Sequence, residues 1–294
     1  MILTSCPLCS SKKNYQVLYQ ANFRRKDLNK TLFSARRLPD EFHYQIVKCR
    51  KDNLVRSNPI LNLEDIERFY KQSSIAYQKE IPNLKKTYLN VLKPYLKELT
   101  RTDKILEIGC GNGFLLEELF KMGYSQISGI EPSLEAVRSA SKNIKKKIIR
   151  DILKKGIFPQ NSFKFIFLFQ TLDHIPNPNQ LLSECFKLLK KNGIILAFNH
   201  DFNSLFVKLL KDKSPIIDIE HTFFYTPQTA RLLFEKNRFQ VLGIYSPKNI
   251  ISLNYLIWLF PLPKVVKIPL LNLTASLKFN LSLKLGNLYI AARK

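Results

Sequence analysis

The stretch KILEIGCGNGFLLEEL, residues 104–119, decides the reading of this chain. KILEI is short, apolar and partly β-branched, as a buried strand is, and the residues after Gly113 space their apolar side chains for a helix before Gly123 stops it. The three alternating glycines therefore occupy a strand-to-helix turn. Glycine takes positive φ at no steric cost and lets a ligand approach the main chain, so Gly109, Gly111 and Gly113 point to a ligand lying on the backbone. An ordinary tight turn is the plainer alternative.

Working outward, strands and helices alternate. KILEI and its helix are followed by QISGI, a helix expected over 132–146, IIRDI, FKFIFLF, a helix over NQLLSECFKLLKKN, and GIILAFN. Such alternation argues an α/β fold, a parallel sheet with helices on both faces. Later come a helix at FNSLFVKLLK, a loop SPIIDIEHTFFYTP, the helix TPQTARLLFEKN, and the strands RFQVLGIYS and NLYIAARK. Upstream, 62–99 is helical in period, with Pro82 opening a second helix and Pro94 kinking or restarting it. The chain divides into a cysteine-containing segment (1–60), a helical lead-in (61–100), the core (101–248), an apolar and basic insert or lid (249–286), and a last core strand (287–294). No internal repeat is visible.

In an open parallel sheet the ligand sits beyond the carboxyl ends of the strands, and an acid closing the second strand can accept the hydroxyls of a ribose. QISGIEPS supplies Glu131, 18 residues after Gly113. The G-x-G-x-G spacing differs from the dinucleotide fingerprint. Glu107 just before it would repel a pyrophosphate and favour a cation. A ribose-bearing cation fits better than a nicotinamide dinucleotide, and Phe158 is a candidate neighbour for its base.

These residues resemble the successive motifs of class I S-adenosylmethionine-dependent methyltransferases. The carriers are Glu107-Ile-Gly-Cys-Gly-Asn-Gly113, then Ile-Glu131-Pro-Ser, Arg-Asp151-Ile and FPQNSFKFIFLFQTLDHIPNP. The resemblance implies a Rossmann-like seven-stranded methyltransferase sheet and S-adenosylmethionine as cofactor. Gly109, Gly111 and Gly113 would pass under the methionine and ribose, and Glu107 would help hold the methionine ammonium. Glu131 would take the ribose hydroxyls, Asp151 with the Ile152 backbone would meet the adenine, and Gln170 would line the methionine side. The family usually has Glu before the His of TLDHIPNP, where this chain has Asp173.

Cys6-Pro-Leu-Cys9 has knuckle spacing, and Cys49 with Asp52 repeats it with a carboxylate in the last place. Zinc takes four ligands in a tetrahedron. Cys6, Cys9, Cys49 and Asp52 are thus a candidate site, with His43 an alternative fourth ligand and a ribbon that no longer binds metal the plainer reading. Cys110 and Cys185 read as buried apolar residues. A cysteine ribbon ahead of this core resembles the sugar C-methyltransferases of polysaccharide and antibiotic-sugar pathways, which also carry a Glu-His pair after the fifth core strand, here Glu220-His221. Their longer C-terminal domain has no counterpart here.

Methyl transfer needs orientation more than a nucleophile, but a hydroxyl or activated carbon acceptor needs a base. His221 with Glu220 is the first candidate, then His174, then His200. Expected partners are a small or saccharide acceptor, such as a nucleotide- or lipid-linked sugar of a surface polysaccharide.

The net charge of +24 favours phosphate or an anionic membrane. Lysines are scattered, without the interleaved aromatics of single-strand binders, so nucleic acid is the weaker expectation. An RNA or tRNA methyltransferase is the second enzyme reading, although FQTLDHIP lacks the Asn/Asp-Pro-Pro-Tyr type of motif. A methyltransferase-like binding module without turnover is the non-enzyme reading. MILTSCPLC carries no secretory pattern, so a cytoplasmic chain is expected. The run NIISLNYLIWLFPLP is too short to span a bilayer, and with the lysines after it could cover the substrate, form a dimer face or lie at an anionic membrane, anchored by Tyr255 and Trp258.

Overall fold

The computed structural model describes residues 1–24, 42–72, 80–277 and 279–294. Residues 73–79 of the expected helical lead-in, and Lys278, lie outside the described residues.

The N-terminal segment contributes three strands, β1 (Tyr15–Tyr19), β2 (Ile46–Cys49) and β3 (Val55–Ser57), each antiparallel to the next. Helix α1 (Leu63–Lys71) starts where the Asn62 side chain accepts the Asp65 N–H at 2.8 Å, a conventional N-cap. Helix α2 (Ile81–Leu96) opens on Pro82 and runs through Pro94. The core follows: β4 (Ile105–Ile108), α3 (Phe114–Lys121), β5 (Ile127–Ile130), α4 (Leu134–Arg138), α5 (Lys142–Lys145), β6 (Ile148–Ile149) and β7 (Phe163–Phe169). After a single 3-10 turn at Leu172–His174 come α6 (Pro178–Leu188), β8 (Leu189–His200), α7 (Leu205–Leu210), β9 (Phe223–Phe224), α8 (Pro227–Lys236) and β10 (Gln240–Tyr245). The chain then forms β11 (Asn249–Ser252), α9 (Leu253–Leu259), α10 (Lys264–Thr274), β12 (Asn280–Leu283) and β13 (Asn287–Arg293).

Seven strands make the main sheet in the order β10-β13-β8-β7-β4-β5-β6. The five from β8 to β6 are parallel, while β13 runs antiparallel to both β8 and β10. The sheet agrees with the α/β architecture expected from the alternation. From β4 the chain proceeds outward through β5 and β6 and then returns to β7 on the other side. The carboxyl end of β4 is thus the switch point where a crevice must open.

Strand β7 is buried on both faces, which explains its unbroken apolar run. Phe165, Phe167 and Phe169 pack with Tyr88 of α2 and the α3 leucines, whereas Ile166 and Leu168 pack with Leu182 of α6 and Leu233 of α8. Cys6, Cys49 and Leu54 belong to that second cluster, so the N-terminal segment shares the main core. Strand β9 also pairs with β3, through Val55 with Phe224 and Arg56 with Phe223.

Three elements differ from the sequence expectation. The helix expected through residue 192 ends at Leu188, because Leu189 pairs with Phe163 in the sheet and Asn192 takes a φ of 60°. The helix expected over 132–146 is split into α4 and α5, where serines compete for backbone groups: Ser139 Oγ donates to the Ala136 carbonyl at 2.8 Å. The insert contains a two-stranded antiparallel pair, β11 with β12, which periodicity did not reveal.

Phe167→Ala removes a fully buried ring between two packed layers. It is expected to lower unfolding free energy by about 3–5 kcal/mol. Leu232→Ala on the exposed side of α8 should stay within about 0.5 kcal/mol, both read by urea denaturation.

Candidate functional site

A cavity of about 930 Å³ opens at the carboxyl end of β4. Its floor is the glycine turn. Gly109, Gly111 and Gly113 have φ of 73°, 56° and 69°, so all three need the left-handed region. Gly109 and Gly111 line the cavity, and a Cβ at Gly109 would collide with Thr171 Oγ1. Gly113 serves packing instead: it precedes α3, and a Cβ there would lie 2.5 Å from Ile144 Cγ2 of α5.

Two acids stand over this turn. Glu131 is held in place, its Oε2 accepting the Gly111 N–H at 2.9 Å and its Oε1 the Ser133 N–H at 2.8 Å. Glu107 is buried in β4, and its Oε2 has no hydrogen-bond partner among the described residues. Burial, and then the charge of Glu131, push the Glu107 carboxyl well above its ordinary range; burial also raises Glu131, against two backbone N–H donors. Gln170 closes β7 with a φ of 52°, a conformation unfavourable by about 1–2 kcal/mol for a side-chain-bearing residue. Its backbone N–H donates to the Phe198 carbonyl at 2.7 Å, while the buried Oε1 has no partner among the described residues. Glu107 and Gln170 both line the cavity. Two buried acceptors facing one space fit a cationic donor.

Asp151 lies beside this cavity without lining it. Its Oδ1 accepts from the Ile152 N–H and from Lys154 Nζ, each at 2.8 Å, and the Lys154 bond lowers its carboxyl. Ile152 does line the cavity. Phe158 does not: its ring packs edge-on against Phe163 at 5.0 Å, which corrects the expectation that it flanks a base.

At the opposite side the three candidate bases, ranked as competitors from the sequence, converge. The His221 ring centroid lies 4.6 Å from His174 and 5.3 Å from His200. Asp173, 2% exposed, sits among them, with Oδ1 3.7 Å from His174 Nε2 and Oδ2 3.7 Å from His221 Nε2. Asp173, His200 and His221 offer ligand atoms within 4.8 Å of one another. The Tyr70 hydroxyl meets His174 Nδ1 at 2.9 Å. Glu220 is buried in the cavity wall, its N–H donating to Asp218 Oδ1 at 2.7 Å. Sequence reasoning missed the central place of Asp173 and the contact of Tyr70. The adjacency of Asp173 to His174 was the available signal; Tyr70 gave none.

The His221 loop is held from outside the core. Ser57 Oγ donates to the His221 carbonyl at 2.7 Å, the Ser57 N–H to the Thr222 carbonyl at 2.9 Å, and the Thr222 N–H to the Asp173 carbonyl at 2.9 Å. Ser57 ends β3, and the β2–β3 hairpin carries Cys49 and Asp52 of the cysteine cluster, which Cys6 and Cys9 complete from the turn ahead of β1. There Cys6 Sγ and Cys49 Sγ lie 3.3 and 3.4 Å from Asp52 Oδ2, and Cys9 Sγ 3.6 Å from Cys49 Sγ. The four ligand atoms fall within 4.8 Å of one another. Burial pushes the Cys6 thiol up to about 12. His43 is excluded from this set: it is buried, with Nδ1 2.7 Å from the Tyr44 carbonyl oxygen.

Residues 106–197 match the methyltransferase domain family. The chain is 26% identical over 121 residues to a ubiquinone biosynthesis O-methyltransferase of Psychrobacter cryohalolentis, a match covering 38% of this chain and 47% of that protein. A protein of the same description from Glaesserella parasuis is 26% identical over 149 residues, covering 46% and 63%. The chain thus matches between about half and two thirds of these relatives' length. Among solved structures, an S-adenosylmethionine-dependent methyltransferase of Archaeoglobus fulgidus superposes with a TM-score of 0.52 at 17% identity, over 75% of this chain and all of that one. One from Thermotoga maritima gives 0.50 at 19% identity, over 79% and 100%. The seven-stranded sheet has the fold of these methyltransferase structures, and residues 106–197 resemble the methyltransferase domain family.

Proposed function

We propose that the chain is an S-adenosylmethionine-dependent methyltransferase. The observation that carries this reading is the pair of buried acceptors, Glu107 Oε2 and Gln170 Oε1, above a glycine turn whose neighbour Glu131 is oriented by backbone N–H groups. Bound there, the cofactor supplies a methyl carbon made electrophilic by a sulfonium. Glu107 and Gln170 would accept from its ammonium, Glu131 from its ribose hydroxyls, and Ile152 with the Asp151 segment would flank its base.

The acceptor occupies the far side of the cavity, against the imidazoles. His221 takes its proton and Asp173 stabilises the imidazolium, while His174 and Tyr70 hold Asp173 in register. The cofactor would supply the methyl group to the acceptor atom so deprotonated, its sulfur keeping the electron pair of the broken carbon–sulfur bond. The finer reading is a saccharide acceptor on a lipid or nucleotide carrier, suggested by the cysteine segment and the Glu220-His221 pair. The cysteine cluster holds zinc through Cys6, Cys9, Cys49 and Asp52, and thereby stiffens the β2–β3 turn behind the His221 loop.

Calorimetric titration with S-adenosylhomocysteine tests the cofactor site. Micromolar binding is expected, lost in Glu131→Ala; a folded wild type that does not bind would end the enzyme reading. His221→Ala should keep that affinity and lower kcat by about 10²–10⁴-fold on a competent acceptor. RNA shifted by the protein in a salt-sensitive way would redirect the search for that acceptor.

The Glu107 carboxyl makes the affinity pH-dependent. Burial raises its pKa in the ligand-free fold, so holding a cationic ligand requires ionising it against that shift. Affinity should weaken as pH falls, and Glu107→Gln should flatten that slope while weakening binding. The stability sign is opposite to that of a paired acid. The raised pKa means the folded state binds the proton more tightly, so stability declines as pH rises above the ordinary value of 4.5 towards the folded value. Glu107→Gln should therefore raise the Tm of the ligand-free protein at pH above that window, read by calorimetry.

For the cysteine cluster, elemental analysis should find one zinc per chain, absent from Cys49→Ser. Chelation should lower kcat more than it lowers affinity for S-adenosylhomocysteine, because the cluster supports the His221 loop and is remote from the glycine turn. A metal-free, fully active wild type would remove zinc from this account.

A further inference from the structure

Helix α10 stands off the body of the protein. Its packing is against α9, and Thr274 is its one buried residue. Val265 is 81% exposed and Leu273 72%, and Val266, Ile268 and Leu277 are exposed too. Across the cavity, α7 presents Leu205 and Leu209, each 68% exposed and one helical turn apart. Helix α7 adjoins the end of α9, to which α10 is joined, through Phe206 and the α9 C-cap Phe260, whose ring centroids are 5.7 Å apart. Helices α7 and α9 both reach the cavity: Phe206 and Leu210 line it from α7, Leu256 and Leu259 from α9.

The charge around these side chains is predominantly positive. No acidic residue follows Glu235, whereas Lys264 and Lys267 lie on α10, and around α7 Lys208, Lys211 and Lys213 outnumber Asp212. A second copy of the chain packed by two-fold symmetry would face this surface with its own lysines and no acids on α10 to meet them. A bilayer of anionic lipid meets both requirements, taking the apolar side chains below its headgroups and pairing the lysines with phosphate. None of the described helices is long and apolar enough to cross a membrane, which suits a surface-lying contact.

We propose that α7, α9 and α10 dock the protein on an anionic membrane surface, with the cavity between them open to an acceptor carried in that membrane. This rests on the methyltransferase reading for the word acceptor, though the docking itself does not. The exposed leucines enter the interface, and the apolar residues of α9 line the passage from lipid to the imidazoles.

The test is co-sedimentation of the full chain with vesicles of phosphatidylcholine, with or without phosphatidylglycerol. Binding to the phosphatidylglycerol vesicles is expected, weakened by salt, and reduced roughly tenfold or more in Val265→Glu/Leu273→Glu and in Leu205→Glu/Leu209→Glu. Titration with S-adenosylhomocysteine on the same variants should match the wild type, showing that they are folded and separating failure of docking from failure of the cofactor site. Absence of binding to anionic vesicles, or binding that both variants retain, would overturn the proposal. So would a dimer in light scattering that Leu273→Glu dissociates while the wild type ignores vesicles.

Discussion

The carboxylate of Glu107 at the end of a buried parallel strand is the constraint around which the site is organised. An acid enclosed by apolar walls and close to a second acid is costly to ionise, and the chain offers it no cation: no lysine, arginine or histidine forms an ion pair with it among the described residues. Its stability cost is tolerable only if something positive completes it. The neighbouring features follow the same logic. The glycines keep Cβ atoms out of the space above it, Glu131 is fixed by two backbone donors, and Gln170 adopts a left-handed φ that leaves its amide oxygen buried beside the cavity. Each element is unfavourable alone and coherent with a cationic ligand.

The second organising feature is the route by which the N-terminal segment reaches the imidazole side of the cavity. A short hydrogen-bonded path runs from the β2–β3 turn through Ser57 to the His221 and Thr222 carbonyls, and from Thr222 to Asp173. The cysteine cluster at that turn has its own tie to the core, where Lys236 Nζ donates to the Pro7 and Leu8 carbonyls at 2.7 and 2.8 Å. The segment is therefore a brace rather than an appendage. Its strands complete a four-stranded sheet only when β9, from beyond the main parallel strands, is added. These hydrogen bonds tie the segment to the wall of the cavity that carries His221 and Asp173.

The sheet and the glycine turn at its switch point were legible because they depend on local rules. A glycine turn, an acid after the next strand and an apolar run buried on both faces are imposed within a few residues, and the strands from KILEI to GIILAFN occur where these signals put them. The imidazole cluster was not legible as a cluster. Its members are 26 and 21 residues apart, from His174 to His200 to His221, and only the sheet's crossover connections bring their loops to one end. Ranking them as rivals was the natural outcome of reading them singly. Phe158 failed for the related reason that an aromatic near a motif is as well used in packing, and it joins Phe163 instead. His43 failed because spacing along the chain says nothing of ring direction. The two strands of the insert were hidden by a composition apolar throughout, in which neither the two-residue nor the 3.6-residue period stands out.

The insert also explains why the cavity is large. The β11 and β12 pair is anchored on α2, where the Ile250 N–H donates to Thr87 Oγ1 at 2.8 Å and Ser252 Oγ bonds to Glu80, and on β13, where Asn287 Nδ2 donates to Asn249 Oδ1 at 2.9 Å. With its base fixed on the same helix that covers the parallel strands, the rest of the insert is carried out over the carboxyl edge of the sheet, and α9 becomes a wall. Tyr255, Leu256 and Leu259 give the cavity an apolar wall. The same placement leaves α10 outside, with its apolar residues in solvent. Both outcomes come from a single choice, to extend the loop between the last two strands of the sheet with a hairpin of helices rather than a short turn.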